Sequence, residues 1–192
     1  MIRILFAGGL IVWLACGCRS RGPEVHPALN SVSSADLQIR NNAASLLADL
    51  LNDEKNVSKI FVVKNANSQT KDLIKLIAAT AKVHALDLEE MATNDPGLNL
   101  HELALPPGEK AARASEAKST EHQLLFSSGP EFEFRLLLTQ AQAQNYGQHL
   151  AAVAAEHSPG GEAVKFRQMS ESMNRLYAQT LVQMRLVPQN NP

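Results

Sequence analysis

The residues that could bind a metal ion are few and lie far apart in the chain. His84 and Asp87 are three positions apart, and His149 follows Tyr146 at the same spacing. Because residues three apart lie on one face of a helix, these side chains would converge if their two helices were neighbours. Imidazole and carboxylate groups suit zinc or another first-row metal. The alternative interpretation is that His84 is hydrogen-bonded at the edge of the core while Asp87 points to water.

More specific metal motifs are missing. A di-iron bundle takes a Glu-x-x-His pair from each of two helices, and none of the 6 histidines has a glutamate three residues before it. The segment "HELAL" at 101–105 resembles half of a zinc-protease motif, but Leu105 stands where the second histidine would be, and prolines follow. We therefore expect neither a di-iron centre nor a protease-type zinc site, and no resident cofactor.

Signatures of other chemistry are also missing. The sequence has no Gly-x-Ser-x-Gly motif, no glycine-rich phosphate loop and no cysteine after position 18. The formal net charge is -1 and the basic residues are scattered, which argues against nucleic acid as a partner. The sequence predicts a protein that is not an enzyme.

A glutamine-rich segment, "QAQAQNYGQHL" at 140–150, lies within a long helical pattern. Gln140, Gln144 and Gln148 form one stripe at four-residue spacing. The neighbouring stripe is largely apolar and consists of Thr139, Ala143, Tyr146, Leu150 and Val153. We interpret the amides as a solvated face. The alternatives are a surface that receives another helix or a polysaccharide, and a contribution to a site.

The first eighteen residues, "MIRILFAGGLIVWLACGC", are typical of an export signal. Arg3 precedes an apolar run from Ile4 to Ala15, and small residues follow. The run is shorter than the roughly 20 residues that cross a bilayer, and the polar segment "RSRGPE" comes next. Because Cys16 and Cys18 are the only cysteines, a disulfide scaffold is excluded.

The end of this signal, "LACGC", resembles the lipobox of bacterial lipoproteins. The resemblance implies lipid modification of Cys18, with Cys16 as the alternative register, and a membrane anchor of several acyl chains. An ordinary secretory signal whose cysteines are discarded is the competing interpretation. We predict a lipoprotein signal peptide at 1–18, a flexible tether at 19–34, and an exported protein that faces the periplasm or the exterior.

The rest of the chain carries helical patterns separated by turn signals. "NDEKN" ends a first helix, "NDPG" a second, "SSGP" a third and "SPGG" a fourth. The β-branched segment "IFVV" could be a strand, but no second strand exists to pair with it. The pattern predicts an all-α, antiparallel bundle of four to five helices at 35–186 and a disordered tail at 187–192. The alanine-rich helix at 109–126 should pack through one narrow face, which leaves room for a homodimer.

Several landmarks resemble the ferritin-like DUF4142 family of exported bacterial proteins over about residues 65–185. They are the histidine in "AATAKVHALDLEEMA", the Leu105-Pro106 loop, "SGPEFEFRLLL" and "AVKFRQM". The resemblance implies ferritin-like topology and a metal-binding or stress-related role. Where that family has further histidines, this chain has Gln144 and Tyr177. The competing hypothesis is a structural or interaction protein that binds an envelope protein or polysaccharide.

Overall fold

The computed structural model describes residues 33–102 and 105–188. These ranges contain five α-helices, one 3-10 helix and no strand, which confirms the predicted all-α bundle. The α-helices are α1 (Ser34–Glu54), α2 (Ser68–Asn94), α3 (Pro107–Phe126), α4 (Gly129–Glu156) and α5 (Gly160–Leu186). The predicted signal peptide, both cysteines and nearly all of the predicted tether lie outside the described residues. None of the helices in the described ranges has the length and apolar character of a membrane span.

The helix boundaries follow from local capping. Ser33 caps α1 by accepting a hydrogen bond from the backbone N–H of Asp36 at 3.1 Å. Asn67 caps α2 in the same way through the N–H of Thr70 at 2.7 Å. Each side chain satisfies a backbone donor that the helix itself leaves unpaired. The segment "IFVV" is not a strand, as its lack of a pairing partner predicted: its first three residues end the 3-10 helix Val57–Val62, and Val63 is the C-cap.

The helices pack in an antiparallel arrangement with α4 at the centre, in contact with α1, α3 and α5. One end, called the proximal end, is marked by the contact between Asp36 of α1 and His157 after α4, whose Oδ1 and Nδ1 atoms lie 2.8 Å apart. The other, called the distal end, holds the 3-10 helix, the turn at Ser127 and the C-terminus of α5. Lys64, just beyond the 3-10 helix, donates a hydrogen bond to the carbonyl of Ser127 at 2.9 Å.

The core has a proximal and a distal half. The proximal half includes Leu47, Leu88 and Phe166, and the distal half includes Ile74 and Phe132. On α5, side chains spaced by three and four residues face the core: Phe166, Met169, Met173, Leu176 and Thr180 are buried, and Met184 is half-buried.

The predicted C-terminal tail is wrong at its first residue. The side chain of Val187 is buried, because it packs into the distal half of the core. The bundle therefore extends at least one residue past the predicted boundary at 186.

Helix α3 is the least integrated element. Leu124 is its only buried residue among those described. Near its start, the guanidinium of Arg113 lies 5.6 Å from the centroid of the Tyr146 ring and 3.3 Å from the Tyr146 hydroxyl. The prediction that this helix packs through one narrow face is confirmed.

The loop after α2 is held by polar side chains of α1. Asn41 donates a hydrogen bond to the carbonyl of Gly97 at 3.1 Å, and Ser45 donates one to the carbonyl of Asn99 at 2.9 Å. Ser45 also accepts from the backbone N–H of Glu102 at 2.9 Å. The backbone groups of this segment are thus paired without regular secondary structure.

Candidate functional site

The metal-ligand candidates of the sequence are only partly brought together. His84 Nδ1 lies 3.7 Å from Asp87 Oδ2 on α2, while His149 is exposed on α4. Within residues 33–102 and 105–188, no three histidine, cysteine, aspartate or glutamate side chains lie close enough to hold a metal ion. Among these residues, His84 and Asp87 are therefore a pair of candidate ligands on one helix, with no third ligand of these types beside them.

The surroundings of His84 differ from those of a histidine that is hydrogen-bonded at the edge of the core. Both ring nitrogens are buried and neither has a hydrogen-bond partner. Burial lowers the pKa of His84, and the Asp87 carboxylate opposes that shift only in part. The imidazole is therefore neutral at pH 7, the form that binds metal ions.

The interpretation of the glutamines as a solvated or partner-facing surface is wrong for two of the three. Gln140 is 0% exposed and Gln144 is 2% exposed. Gln148 is half-buried and donates a hydrogen bond to Asn145 at 2.8 Å. The expectation fails because α4 is the central helix, so its buried face is wider than the single apolar stripe seen in the sequence.

Three polar side chains of α1 and α4 are buried and are here together called the buried polar layer: Glu54, Gln140 and Gln144. The Nε2 atom of Gln140 lies 3.4 Å from Oε1 of Glu54, which is 2% exposed. The contact is at the long end of the hydrogen-bond range, so it compensates little of the cost of burying a carboxylate.

Glu54 is not among the residues singled out from the sequence, although the sequence contains a signal for it. Leu47, Leu50 and Leu51 lie on the inward face of α1, and Glu54 continues that stripe at the next helical step. Its membership of the polar segment "NDEKN" favoured a solvent-exposed interpretation. The signal for Glu54 is that its carboxylate lies at the same helical spacing as the apolar residues of the buried stripe.

The environment of Glu54 opposes its negative charge. Burial raises the pKa of Glu54 to about 8; the hydrogen bond from Gln140 lowers it, and the charge of Asp53 raises it further. Glu54 is also the last residue of α1, where the helix dipole is unfavourable to an anion. Without a compensating cation, the side chain is protonated at pH 7.

Some oxygen atoms of the buried polar layer are unpaired. Three buried oxygens have no hydrogen-bond partner: Oε2 of Glu54, Oε1 of Gln140 and Oε1 of Gln144. Unpaired acceptors in a core each cost free energy, and a proton or a metal cation would satisfy them. Protonation of Glu54 would give the layer one further hydrogen-bond donor.

A buried charge lies near the proximal end. Arg40 is 1% exposed, and its Nη1 atom lies 2.9 Å from Asp95 and 3.0 Å from Glu162. These contacts join α1 to the loop after α2 and to the first turn of α5. Burial disfavours the Asp95 anion, but the N–H of Gly97 and the charge of Arg40 still lower its pKa. At Glu162, burial outweighs Arg40 and raises the pKa. Both carboxylates pair with Nη1 of Arg40, whereas its Nε and Nη2 atoms are buried without a hydrogen-bond partner.

The distal end exposes large apolar side chains, here called the distal patch: Val62, Val63, Phe126 and Leu186. Val62 is 87% exposed and Phe126 is 76% exposed. The Lys64–Ser127 hydrogen bond holds the chain segments of Val63 and Phe126 against each other. Close by, Phe134, Leu181, Met184 and Arg185 line a shallow and mainly apolar depression.

Comparison of the chain with models of known protein families, with curated proteins and with solved structures gave no match.

Proposed function

We propose that the protein is an exported, lipid-anchored helical bundle of the bacterial envelope that binds a protein partner through the distal patch. The proposal combines the lipobox-like "LACGC" sequence, with Cys18 as the lipidated residue, and the exposed apolar side chains at the distal end. Non-enzymatic binding is the function favoured by this combination. The distal patch is the observation on which the proposal rests.

The distal patch has the character of a binding surface. Exposed apolar residues occur singly on most soluble proteins, whereas several large ones together at one end mark an interaction site. Lys55 is exposed shortly before the 3-10 helix that carries Val62, and Lys59 is exposed within it. We therefore expect a partner protein with an apolar surface and acidic residues at its rim.

The position of the distal patch fits a tethered protein. The chain enters the bundle at Ser33, near the proximal end, and α2 alone has 27 residues. At 1.5 Å per residue, this helix is about 40 Å long. In the proposed arrangement the bundle separates the distal patch from the attachment point of the tether by roughly that distance.

The test uses the full chain expressed in a bacterial host and solubilised in detergent. Photo-crosslinking groups at position 62 or 126 should trap one protein of defined mass, and the triple variant Val62→Ser, Val63→Ser and Phe126→Ser should abolish its capture. The matched control is Val83→Ser with Leu86→Ser, since both residues are 55% exposed on α2, away from the distal patch. Capture that survives the triple variant would refute the proposal.

One further outcome of the crosslinking experiment has its own meaning. If a second copy of this chain were trapped, the distal patch would be a homodimer interface and not a binding site for a different protein.

Mass spectrometry of the membrane-bound protein tests the anchor separately. A mature N-terminus at Cys18 carrying acyl chains supports it, and a free, unacylated N-terminus beyond position 18 contradicts it.

A metal-binding role, as the resemblance to the DUF4142 family implies, is the second candidate. One observation favours it: both nitrogens of the neutral His84 ring are unpaired, and Asp87 lies one turn away. Metal retained at about one equivalent per chain after desalting, and lost in His84→Ala but kept in His122→Ala, would support this role. Equal metal content in both variants would exclude a site at His84.

A further inference from the structure

We propose that a second copy of this chain binds to the outward face of α2 through its own α2, with the two helices parallel. This face is here called the outer stripe and consists of Leu76, Ala79, Val83 and Leu86. The inference goes beyond the proposed function and uses neither the distal patch nor the anchor.

The outer stripe is apolar and exposed to solvent. Leu76 is 48% exposed, Val83 and Leu86 are each 55% exposed. Ala79 is exposed as well. Single exposed apolar side chains are normal on a soluble protein, whereas several together are typical of an interaction site.

The outer stripe lies on the side of α2 that faces away from the core. A helix turns by about 100° per residue, so the side chains of the stripe project within an arc of about 80°. Ile74, Ala81 and Leu88 are buried, and their directions are centred on the opposite side of the helix. A helix that packs on one side only normally carries polar residues on the other. Packing within the bundle therefore does not account for the outer stripe.

The spacing of the outer stripe is that of a coiled coil. Its members follow one another at intervals of three, four and three residues, which are positions a, d, a and d of two heptads. Val83 at position a followed by Leu86 at position d is the combination that favours two-stranded parallel coils. In a parallel pair with two-fold symmetry each position meets itself, so the outer stripe is complementary to that of a second copy.

The charged residues beside the outer stripe favour the parallel direction. In a parallel pair, Lys82 at position g lies next to Asp87 of the partner subunit at position e, and the two-fold axis gives this contact twice. Lys82 is exposed, and the side chain of Asp87 is 42% exposed beside His84. An antiparallel pair would join Lys75 to Glu89 of the partner subunit, but it would also bring the two Lys82 side chains together at its centre, where like charges repel.

The outer stripe is short, which limits the strength of the dimer. Asp72 and Glu90 continue its spacing at either end, so the apolar contact is confined to two heptads. Glu90 also pairs with Lys165 of α5 at 3.8 Å. Small contacts are typical of weak, transient association. We therefore expect a dimer that exchanges with the monomer.

The experiment uses the full chain in detergent, with a photo-crosslinking residue at position 76 and with sedimentation equilibrium of unlabelled variants. Trypsin cuts after Lys75 and Lys82, so the two directions give different products. The parallel dimer should crosslink position 76 to the peptide 76–82 of the partner subunit. An antiparallel dimer would crosslink it to the peptide that begins at Val83.

Substitutions on two outward helix faces test the location of the contact. Val83→Ser with Leu86→Ser should weaken the dimer by more than about tenfold, because both copies lose apolar contact. The matched control is Val164→Ser with Val182→Ser, whose side chains are 46% and 56% exposed on α5, and it should dimerise like the wild type. Since all of these side chains are exposed, both variants should unfold at the wild-type Tm.

Charge exchange tests the direction of the helices. Lys82→Glu should weaken the dimer a few-fold, and Lys82→Glu with Asp87→Lys should restore it, because the exchanged charges pair again in the parallel register. The triple variant of the distal patch should dimerise like the wild type. Failure of this inference and failure of the proposed function are therefore distinguishable.

Three results would overturn the inference. The first is a wild-type chain that stays monomeric at its highest soluble concentration and gives no crosslink between copies from position 76. The second is a dimer of equal strength in Val83→Ser with Leu86→Ser and in the α5 control, which would place the contact elsewhere. The third is a crosslink from position 76 to the peptide that begins at Val83, or a charge exchange that restores nothing, which would exclude the parallel arrangement.

Discussion

Gln140 and Glu54 face each other across the α1–α4 interface, with Nε2 of the amide 3.4 Å from Oε1 of the carboxyl group and both side chains buried. In this position the carboxyl group has lost water and received one weak hydrogen bond in exchange. Its protonation state therefore affects the stability of the whole bundle.

The first prediction concerns pH. The pKa of Glu54 is about 8 in the folded protein and 4.5 as the reference value, so the folded state binds more protons between these values. The stabilisation from the neutral acid is complete below pH 4.5 and is lost as pH rises through 8. In metal-free buffer, the free energy of unfolding should fall by a few kcal/mol over this window, since each unit of pKa difference corresponds to about 1.4 kcal/mol.

Glu54→Gln should remove most of this pH dependence, because a neutral amide has no proton to lose. Urea unfolding at pH 5, 7 and 9 measures the effect, and Asp49→Asn is the matched control. The prediction fails if the wild-type protein is equally stable at pH 5 and pH 9 and Glu54→Gln shows the same pH profile. That result would show that Glu54 is solvated in solution.

The second prediction concerns Arg40, which is buried between Asp95 and Glu162. Removing one partner from a buried ionic group leaves uncompensated charge and costs about 3–5 kcal/mol. We expect Arg40→Ala to destabilise the bundle by about that amount in denaturant unfolding.

Arg113→Ala is the comparison for Arg40→Ala. Arg113 pairs with Glu109 on the more exposed helix α3, where such pairs contribute about 1 kcal/mol or less. If the two variants lost the same stability, Arg40 would not be acting as a buried ionic link.

The sequence predicted the helices well because their signals are local. "NDPG" and "SPGG" stop helices through backbone geometry alone, and the buried side chains of α5 from Phe166 to Thr180 recur at the helical spacing of three and four residues. The candidate site could not be predicted in the same way. Whether Gln140 and Gln144 face water or core depends on which helix becomes central, and that is decided by packing between distant segments.

The exposure of the distal patch could not be predicted from the sequence either. In the sequence, Val62 and Val63 belong to the most strand-like apolar segment, and such a segment is normally interpreted as core. In the structure, the 3-10 turn buries Val57 and Ile60 and leaves Val62 outside. The spacing within a single short turn, rather than composition, decides which of these residues is buried.

The third prediction concerns Gly147, where α1, α4 and α5 are in close contact. A Cβ at this position would lie 2.1 Å from Cε of Met173 and 2.9 Å from Cδ2 of Leu50. Met173 can move its flexible end, but Leu50 is confined to the core. We therefore expect Gly147→Ala to cost about 1–3 kcal/mol from overpacking, despite the higher helix propensity of alanine.

Gly161→Ala is the matched control for this substitution. Gly161 also lies in a helix, but a Cβ atom added there would meet no atom within 4 Å, so alanine should be neutral or stabilise by up to about 1 kcal/mol. Thermal unfolding of both variants separates the cost of overpacking at Gly147 from the gain in helix propensity, which both substitutions share. A stabilising Gly147→Ala would mean that the helices have room to separate at this contact.

The fourth prediction concerns the dynamics of α3. Local opening requires little free energy where few apolar side chains are buried, and Leu124 is the only buried residue of this helix among those described. Hydrogen exchange should therefore be fastest in the first three turns of α3, slower around Leu124, and slowest in the centre of α4.

Arg113→Ala should accelerate exchange at the start of α3 further, because it removes the contact with Tyr146, while the rates in α4 should stay unchanged. The control is Lys118→Ala, whose side chain is exposed on the same helix. Uniform protection of α3 and α4 would contradict the prediction. It would indicate that a surface not visible in the single chain, such as a second copy, covers α3 in solution.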